Sequence, residues 1–185
     1  MKSKVVAVNL KLPQALIDSL DGAELQPAAL VSETGEFVAA EKSVRSSQVA
    51  WLHESDGVVQ YCLDHLHKIN DSVFKYDLLH LDNHGLQYAT YGVGDHYIWH
   101  VDTLDREIDR KLSFSLLLND NYEGGEFEIA RWKYSAEGIE AEPVHVPTVS
   151  GTMVVFPSNT PHRVLPVTKG IRRSLVGWMI GSPLR

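Results

Sequence analysis

Two side chains that can bind a metal ion are separated by a single residue near the middle of the chain, at His100 and Asp102. They fall in a run of β-forming residues that starts at Tyr97. Because a β-strand directs residues i and i+2 to the same face, we expect the imidazole and the carboxylate to point into one space. Two histidines and one carboxylate form a facial triad that holds ferrous iron and leaves the opposite positions open for substrate and oxygen.

The third ligand of such a triad should be a histidine distant in sequence, because a pair on one strand can be completed only across a sheet or barrel. His162 is the candidate, since it follows a predicted strand at residues 151–156 and a turn at residues 157–161. His65 and His67 lie two apart on a predicted helix and therefore face different ways, which argues against a joint metal site. We predict that His100, Asp102 and His162 bind one metal ion.

A predicted strand at residues 172–180 adds a positive charge to this site. On a strand, Arg172 and Ser174 share one face. A buried arginine requires an anion, and a carboxylate suits its planar guanidinium. Together with a metal triad, this pattern implies a cosubstrate that chelates the metal at one end and carries a carboxylate at the other. 2-Oxoglutarate has that shape, and its far carboxylate would meet Arg172 and the hydroxyl of Ser174.

The elements that must position these residues are mostly short strands. A helix is predicted from apolar residues at helical spacing, Val58, Cys62, Leu66 and Ile69, with its end at residues 70–71, and it should pack outside a sheet. From residue 73 onward, short strands alternate with Gly, Pro, Asn and Asp, which favours a sandwich or jelly roll over a parallel α/β sheet. The charged segment at residues 103–111 is expected to form a lid over the site.

Composition limits the classes of function. With 185 residues, of which 44% are hydrophobic, the chain suits one domain with its own core. The net charge of -7 argues against extensive binding to nucleic acid or anionic membranes. Cys62 is the one cysteine, which favours a reducing compartment. The N-terminal apolar run is too short for a signal peptide, and no segment approaches a membrane span. We therefore expect a soluble, cytoplasmic protein.

An ordered series of motifs over roughly the last hundred residues resembles one enzyme family. The series is similar to the prolyl 4-hydroxylase-like branch of the Fe(II)/2-oxoglutarate-dependent dioxygenases. Its members are Tyr91, Gly94, Tyr97, His100 and Asp102, then residues 118–120, 123–126, 151–156 and 162–164, and finally Val167, Gly170, Arg172 and Trp178.

The resemblance implies a fold and a set of roles. The fold would be a mainly β (α+β) double-stranded β-helix, with residues 1–85 as a support of helices and strands and residues 86–181 as the core. Fe(II) would be held by the three predicted ligands and 2-oxoglutarate by Arg172, with Tyr91 contacting the cosubstrate or lining its pocket; ascorbate is a further cofactor candidate. Several relatives have a tyrosine where this chain has Leu117, and Ser174 is our candidate for the missing contact.

The resemblance also implies an activity, namely hydroxylation of a C–H bond with O2 and 2-oxoglutarate, releasing succinate and CO2. A peptidyl residue such as proline is the first candidate substrate, followed by a free amino acid or small metabolite. Oxidative demethylation of a nucleic acid is disfavoured by the acidic composition, and a non-catalytic jelly-roll binding module is disfavoured by the intact ligand set. A zinc hydrolase would leave Arg172 and Ser174 unexplained.

Overall fold

The structure is a computed structural model that describes residues 4–31, 37–82, 85–103, 109–135 and 138–182. Residues 104–108, which make up most of the predicted lid, lie outside the described residues. The helical elements are α1 (Gln14–Asp18), α2 (Gly57–Ile69) and a π-helical turn (Asn70–Phe74). The strands are β1 (Val6–Asn9), β2 (Gln26–Pro27), β3 (Ala29–Val31), β4 (Phe37–Ala39), β5 (Arg45–Ser46), β6 (Gln48–Leu52), β7 (Leu78–Leu81), β8 (Leu86–Tyr91), β9 (His96–His100), β10 (Asp109–Leu117), β11 (Glu123–Gly124), β12 (Phe127–Ser135), β13 (Gly138–His145), β14 (Thr152–Pro157), β15 (His162–Val164), β16 (Val167–Lys169) and β17 (Arg172–Gly181).

The larger sheet is antiparallel and has the strand order β1-β14-β10-β17-β8-β6-β2. Its central strand, β17, pairs with β10 on one side and with β8 and β7 on the other. Arg172 lies opposite Tyr91, and Ser174 lies opposite Ala89. Alternation along β17 therefore directs Arg172 and Ser174 to the same face, as the sequence predicted.

The second sheet is also antiparallel and has the order β13-β12-β15-β9-β5. Apolar side chains from both sheets form one buried cluster, which includes Ala89, Phe127, Phe156 and Val164. The cluster places the two sheets face to face, as in a jelly roll. The predicted mainly β, double-stranded β-helix fold is confirmed. The role of the N-terminal helices as a support for this core stays a prediction.

Helix α2 packs through the apolar face that its sequence periodicity predicts. Val59, Cys62 and Leu66 are completely buried and join a cluster that contains Leu86 and Phe114 of the larger sheet. Burying an aliphatic side chain of this size stabilises the fold by roughly 1.5–3 kcal/mol. Burial also raises the pKa of the Cys62 thiol to about 12. Among the described residues, no helix combines the length and the apolar character required to cross a bilayer.

Helix α2 ends at Ile69 with Asn70 as its C-cap, at the end that the sequence predicts, and the chain continues directly into the π-helical turn. The side-chain amide of Asn70 accepts a hydrogen bond from the backbone N–H of Tyr76 and donates one to its carbonyl, both at 3.0 Å. Lys75 has φ of 58° and its N–H donates to the Asn70 carbonyl at 2.7 Å. The polar side chain that signals a helix end in sequence therefore bonds to residues beyond the turn.

Candidate metal and cosubstrate site

Neighbouring strands of the second sheet bring the three predicted metal ligands together. His162 at the start of β15 lies directly opposite His100 at the end of β9. Asp102 follows β9, and its backbone N–H donates to the Ser158 carbonyl at 2.8 Å. His162 Nε2 lies 3.4 Å from Asp102 Oδ2, and His100 Nε2 lies 3.8 Å from Oδ1. One potential ligand atom from each residue lies within 4.8 Å of the other two.

Backbone carbonyls determine which nitrogen of each imidazole faces this cluster. His100 Nδ1 is 2.8 Å from the carbonyl oxygen of Ile98, and His162 Nδ1 is 2.9 Å from that of Thr160. A carbonyl only accepts hydrogen bonds, so each Nδ1 carries a proton, which leaves Nε2 as the atom through which each ring can bind a metal. Asp102 Oδ2 is buried without a hydrogen-bond partner among the described residues. Three potential ligand atoms therefore converge, which fits a metal cation.

The protonation states of these groups also suit a cation. Burial lowers the pKa of His100 to about 3, and the neighbouring His162 acts in the same direction. Burial alone would raise the pKa of Asp102, but the two imidazoles, with Ser113 and Trp178, outweigh this effect and hold it below its ordinary value. At neutral pH the site thus contains an ionised carboxylate and a neutral His100, which are the forms that bind metals.

All six predicted site residues line one cavity of about 310 Å³: Tyr91, His100, Asp102, His162, Arg172 and Ser174. At the metal end, the Tyr97 ring stacks on His100 with 3.5 Å between ring centroids. Phe156 contacts His162 from another side, with 4.7 Å between centroids. These aromatic contacts keep the imidazoles in place.

Arg172 lies at the other end of the cavity and is only 3% exposed. Its Nη1 donates a hydrogen bond to Ser174 Oγ at 2.9 Å, and its guanidinium carbon lies 5.5 Å from the centre of the Tyr91 ring. Its Nε is buried without a partner, and within the described residues no carboxylate pairs with it. A buried guanidinium held by neutral groups fits an incoming carboxylate, such as the far end of 2-oxoglutarate. Direct contacts of Ser174 and Tyr91 with the cosubstrate stay predictions.

Two further arginines line the cavity, and sequence reasoning missed both. Arg110 forms a 2.8 Å ion pair with Asp82 and stacks on Trp178 at 4.1 Å, so its charge is balanced. Arg45 donates to Ser47 Oγ at 3.0 Å and to Gln87 Oε1 at 2.6 Å, and it stacks over Tyr97. The available signal was an arginine among β-forming residues, which indicates a charged side chain on a strand. That signal does not show which strands are neighbours, and so it does not place the arginine in the cavity.

Comparisons with known proteins agree with this fold and site. A family model described as the 2OG-Fe(II) oxygenase superfamily matches residues 86–180. A PKHD-type hydroxylase of Synechococcus sp. (strain CC9902) is 35% identical over 99 residues, or 52% of this chain and 41% of the relative. One from Hyphomonas neptunium (strain ATCC 15444) is 39% identical over 95 residues, or 48% of this chain and 39% of the relative. The matches span about two fifths of the length of these curated relatives.

Solved structures share the fold over nearly the whole chain. A prolyl-4-hydroxylase from Pseudomonas putida superimposes with a TM-score of 0.69 and 24% identity, covering 98% of this chain and 94% of that chain. A prolyl hydroxylase from Trichoplax adhaerens, in complex with a hypoxia inducible factor peptide fragment, has a TM-score of 0.72 and 17% identity, covering 96% of this chain and 83% of that chain.

The antiparallel double-stranded β-helix, with two imidazoles and a carboxylate at one end of its cavity, defines the class of protein. The chain belongs to the 2OG-Fe(II) oxygenase superfamily. The family and the site together support Fe(II) and 2-oxoglutarate as its cofactor and cosubstrate.

Proposed function

We propose that this chain is an Fe(II)- and 2-oxoglutarate-dependent dioxygenase that hydroxylates a peptidyl residue, with proline as the first candidate. One observation carries the proposal. A single cavity has a cluster of metal-binding lone pairs at one end and a guanidinium without a carboxylate partner, among the described residues, at the other. 2-Oxoglutarate is the ligand that matches both ends at once.

Each residue has a distinct task in this proposal. His100, Asp102 and His162 hold Fe(II), and Arg172 binds the distal carboxylate of 2-oxoglutarate. When bound, iron and 2-oxoglutarate supply the oxidising chemistry that uses O2 and releases succinate and CO2. The protein orients the cosubstrate between two fixed charges and keeps the reacting space dry through Tyr97 and its aromatic neighbours.

The rim of the cavity supports a peptide substrate. Ile98, Trp99 and Val101 line the cavity and are 44%, 37% and 45% exposed. Apolar and aromatic side chains at an open mouth suit the ring of a prolyl residue and its neighbours. The Trichoplax relative was solved with a peptide fragment, and the curated relatives carry the name PKHD-type hydroxylase.

A free amino acid or another small carboxylate is the second candidate substrate, and Arg45 favours it. Arg45 lines the cavity and is 7% exposed, and within the described residues no carboxylate balances its charge. A carboxylate on the substrate would provide that balance. In the peptide case, a substrate carbonyl or acidic side chain would take this place.

We also propose that the chain forms one domain, with residues 1–85 supporting a core at residues 86–181. β6 of the first segment pairs with β8 of the second along its length, which supports this arrangement. Separate expression of residues 86–185 tests it. A core that lacks β6 leaves β8 with an unpaired edge, and we expect it to aggregate.

The decisive test is substrate-dependent succinate formation. Proline-containing peptides and free amino acids are screened with Fe(II), O2 and 2-oxoglutarate, and mass spectrometry identifies a product that has gained one oxygen. We expect turnover with peptides, and none with the Asp102→Ala variant, which removes the charged metal ligand. Turnover with free carboxylate substrates alone would select the second candidate. Binding of substrates without succinate release would indicate a binding module instead.

A further inference from the structure

A second polar group lies beside the distal end of the cavity, and no sequence pattern identified it. Ser174 Oγ already accepts a hydrogen bond from Arg172. Leu117 at the end of β10 is apolar, so this position offers no hydroxyl. The carboxylate expected beside Arg172 therefore has room for another donor.

Tyr122 lies in the segment between β10 and β11, and its ring lies beside the side chain of Arg172. A Cβ atom at Gly125 would lie 3.2 Å from Arg172 Cδ and 3.3 Å from Tyr122 Cε2. Gly125 has φ of 65°, in the left-handed region that favours glycine. This glycine therefore lets the backbone approach both side chains and keeps the tyrosine ring beside the guanidinium.

The hydroxyl of Tyr122 is buried, and no acceptor for its proton lies among the described residues. Burial raises the pKa of Tyr122, while the positive charge of Arg172 and a hydrogen bond with its guanidinium oppose that rise. The phenol oxygen therefore faces the guanidinium. A buried donor without an acceptor is unfavourable for stability, which suggests that a ligand completes it.

Tyr122 and Leu117 line one narrow cavity beside β10. That cavity shares Ser115, Phe127 and Arg172 with the main cavity, so the two meet at the arginine. The phenol therefore approaches Arg172 from the segment between β10 and β11. Two donors, Arg172 Nε and the Tyr122 hydroxyl, remain for one anion.

We propose that the Tyr122 hydroxyl donates a hydrogen bond to the distal carboxylate of 2-oxoglutarate, beside Arg172. The inference rests on the proposed function, since 2-oxoglutarate must occupy this cavity. A hydrogen bond from a hydroxyl to a carboxylate is short and charge-assisted, and it adds to the arginine contact without changing the metal end.

The test is binding of 2-oxoglutarate to the Tyr122→Phe variant, measured by calorimetry without O2 on the full chain loaded with Mn(II). We expect the variant to bind 2-oxoglutarate about tenfold to hundredfold more weakly. A matched ligand, 2-oxopentanoate, has a methyl group in place of the distal carboxylate and should bind both proteins equally. Tyr61→Phe is the control variant, because the Tyr61 hydroxyl donates to the Lys11 carbonyl on the surface.

A purely structural role for Tyr122 is distinguished by the melting temperature of the ligand-free protein. Phe fills the same space and removes a donor that has no acceptor, so that temperature should change little. Equal affinity of wild type and Tyr122→Phe for 2-oxoglutarate overturns the role of Tyr122 but leaves the proposed function intact. Failure of the Mn(II)-loaded wild type to bind 2-oxoglutarate overturns both. A loss of affinity for both ligands, with a lower melting temperature, likewise overturns the specific contact.

Discussion

The two ends of the cavity are built on opposite principles. At the metal end, His100, Asp102 and His162 converge with potential ligand atoms, and the Nδ1 of each imidazole is already bonded to a backbone carbonyl. At the distal end, Arg172 Nε and the Tyr122 hydroxyl are donors without an acceptor among the described residues. Each end is unfavourable by itself, because buried polar groups without partners destabilise a fold. The cavity is therefore organised for a cation at one end and an anion at the other.

The largest effect is expected from removing the charge at the metal end. Asp102→Ala should weaken Mn(II) or Fe(II) binding by more than ~100-fold, because the carboxylate is the only anionic member of the triad. Metal titration followed by calorimetry measures the loss. His96→Ala, on the strand that precedes Asp102, is the control, since the ring lies near the Gly94 carbonyl outside the triad. Full metal binding by Asp102→Ala would show that the cation does not depend on this carboxylate, and the metal end would then not differ from the distal end in the way described.

Removing the charge at the distal end should affect a different ligand. Arg172→Ala should weaken 2-oxoglutarate binding by roughly 3–5 kcal/mol, because the distal carboxylate is then buried without its partner. Metal affinity should stay the same. Arg173→Ala is the control, since the neighbouring side chain on β17 takes the opposite face. If both variants lose equal affinity for 2-oxoglutarate, the anion site lies elsewhere.

The metal end should also make the metal-free protein sensitive to acid. Burial and His162 lower the pKa of His100 from 6.5 to about 3, so the unfolded chain binds a proton at this residue more readily than the folded protein. As pH falls below about 6.5, the unfolded state gains protons first and stability decreases, by at most ~1.4 kcal/mol per pH unit. The lowered pKa of Asp102 acts in the same direction at lower pH.

Thermal melts of metal-free wild type and His100→Gln between pH 8 and pH 4 check this dependence. The variant lacks the proton-binding group, so its melting temperature should fall less steeply than that of the wild type. Parallel curves for the two proteins would show that His100 ionises alike in the folded and unfolded states.

The smallest effect is expected from Ser174→Ala. The serine accepts a hydrogen bond from Arg172, so its loss should leave the guanidinium present but less firmly oriented. We expect 2-oxoglutarate binding to weaken by about 0.5–1.5 kcal/mol, less than for Arg172→Ala. A loss as large as that of Arg172→Ala would instead indicate that Ser174 contacts the cosubstrate directly. Calorimetry on both variants makes the comparison.

The residues that sequence reasoning placed correctly depend on local periodicity. His100 and Asp102 share a face because they lie two residues apart at a strand end, and the same rule pairs Arg172 with Ser174. The prediction that His162 joins them needed one further step, namely that a pair on one strand can be completed only across a sheet or barrel. Such arguments use spacing along the chain, which the sequence displays directly.

The residues that were missed depend on how distant segments cross. Arg45 enters the cavity because β5 pairs with β9, and Tyr122 reaches Arg172 because Gly125 permits a close approach. The hairpin of β12 and β13 extends to Ser135 and Gly138, with its residues paired through the backbone. Lateral strand order and loop approach have no fixed spacing in sequence, so periodicity could not reveal them.

The burial of Cys62 behind the larger sheet has a consequence for a protein of this chemistry. A thiol with a pKa of about 12 is almost entirely protonated at neutral pH, and only the thiolate reacts readily with peroxides or alkylating reagents. The Cys62 thiol is thus unreactive toward these reagents while α2 stays in place. Alkylation of Cys62 by iodoacetamide would then require the helix to detach. The extent of alkylation over time therefore reports how readily this part of the fold opens.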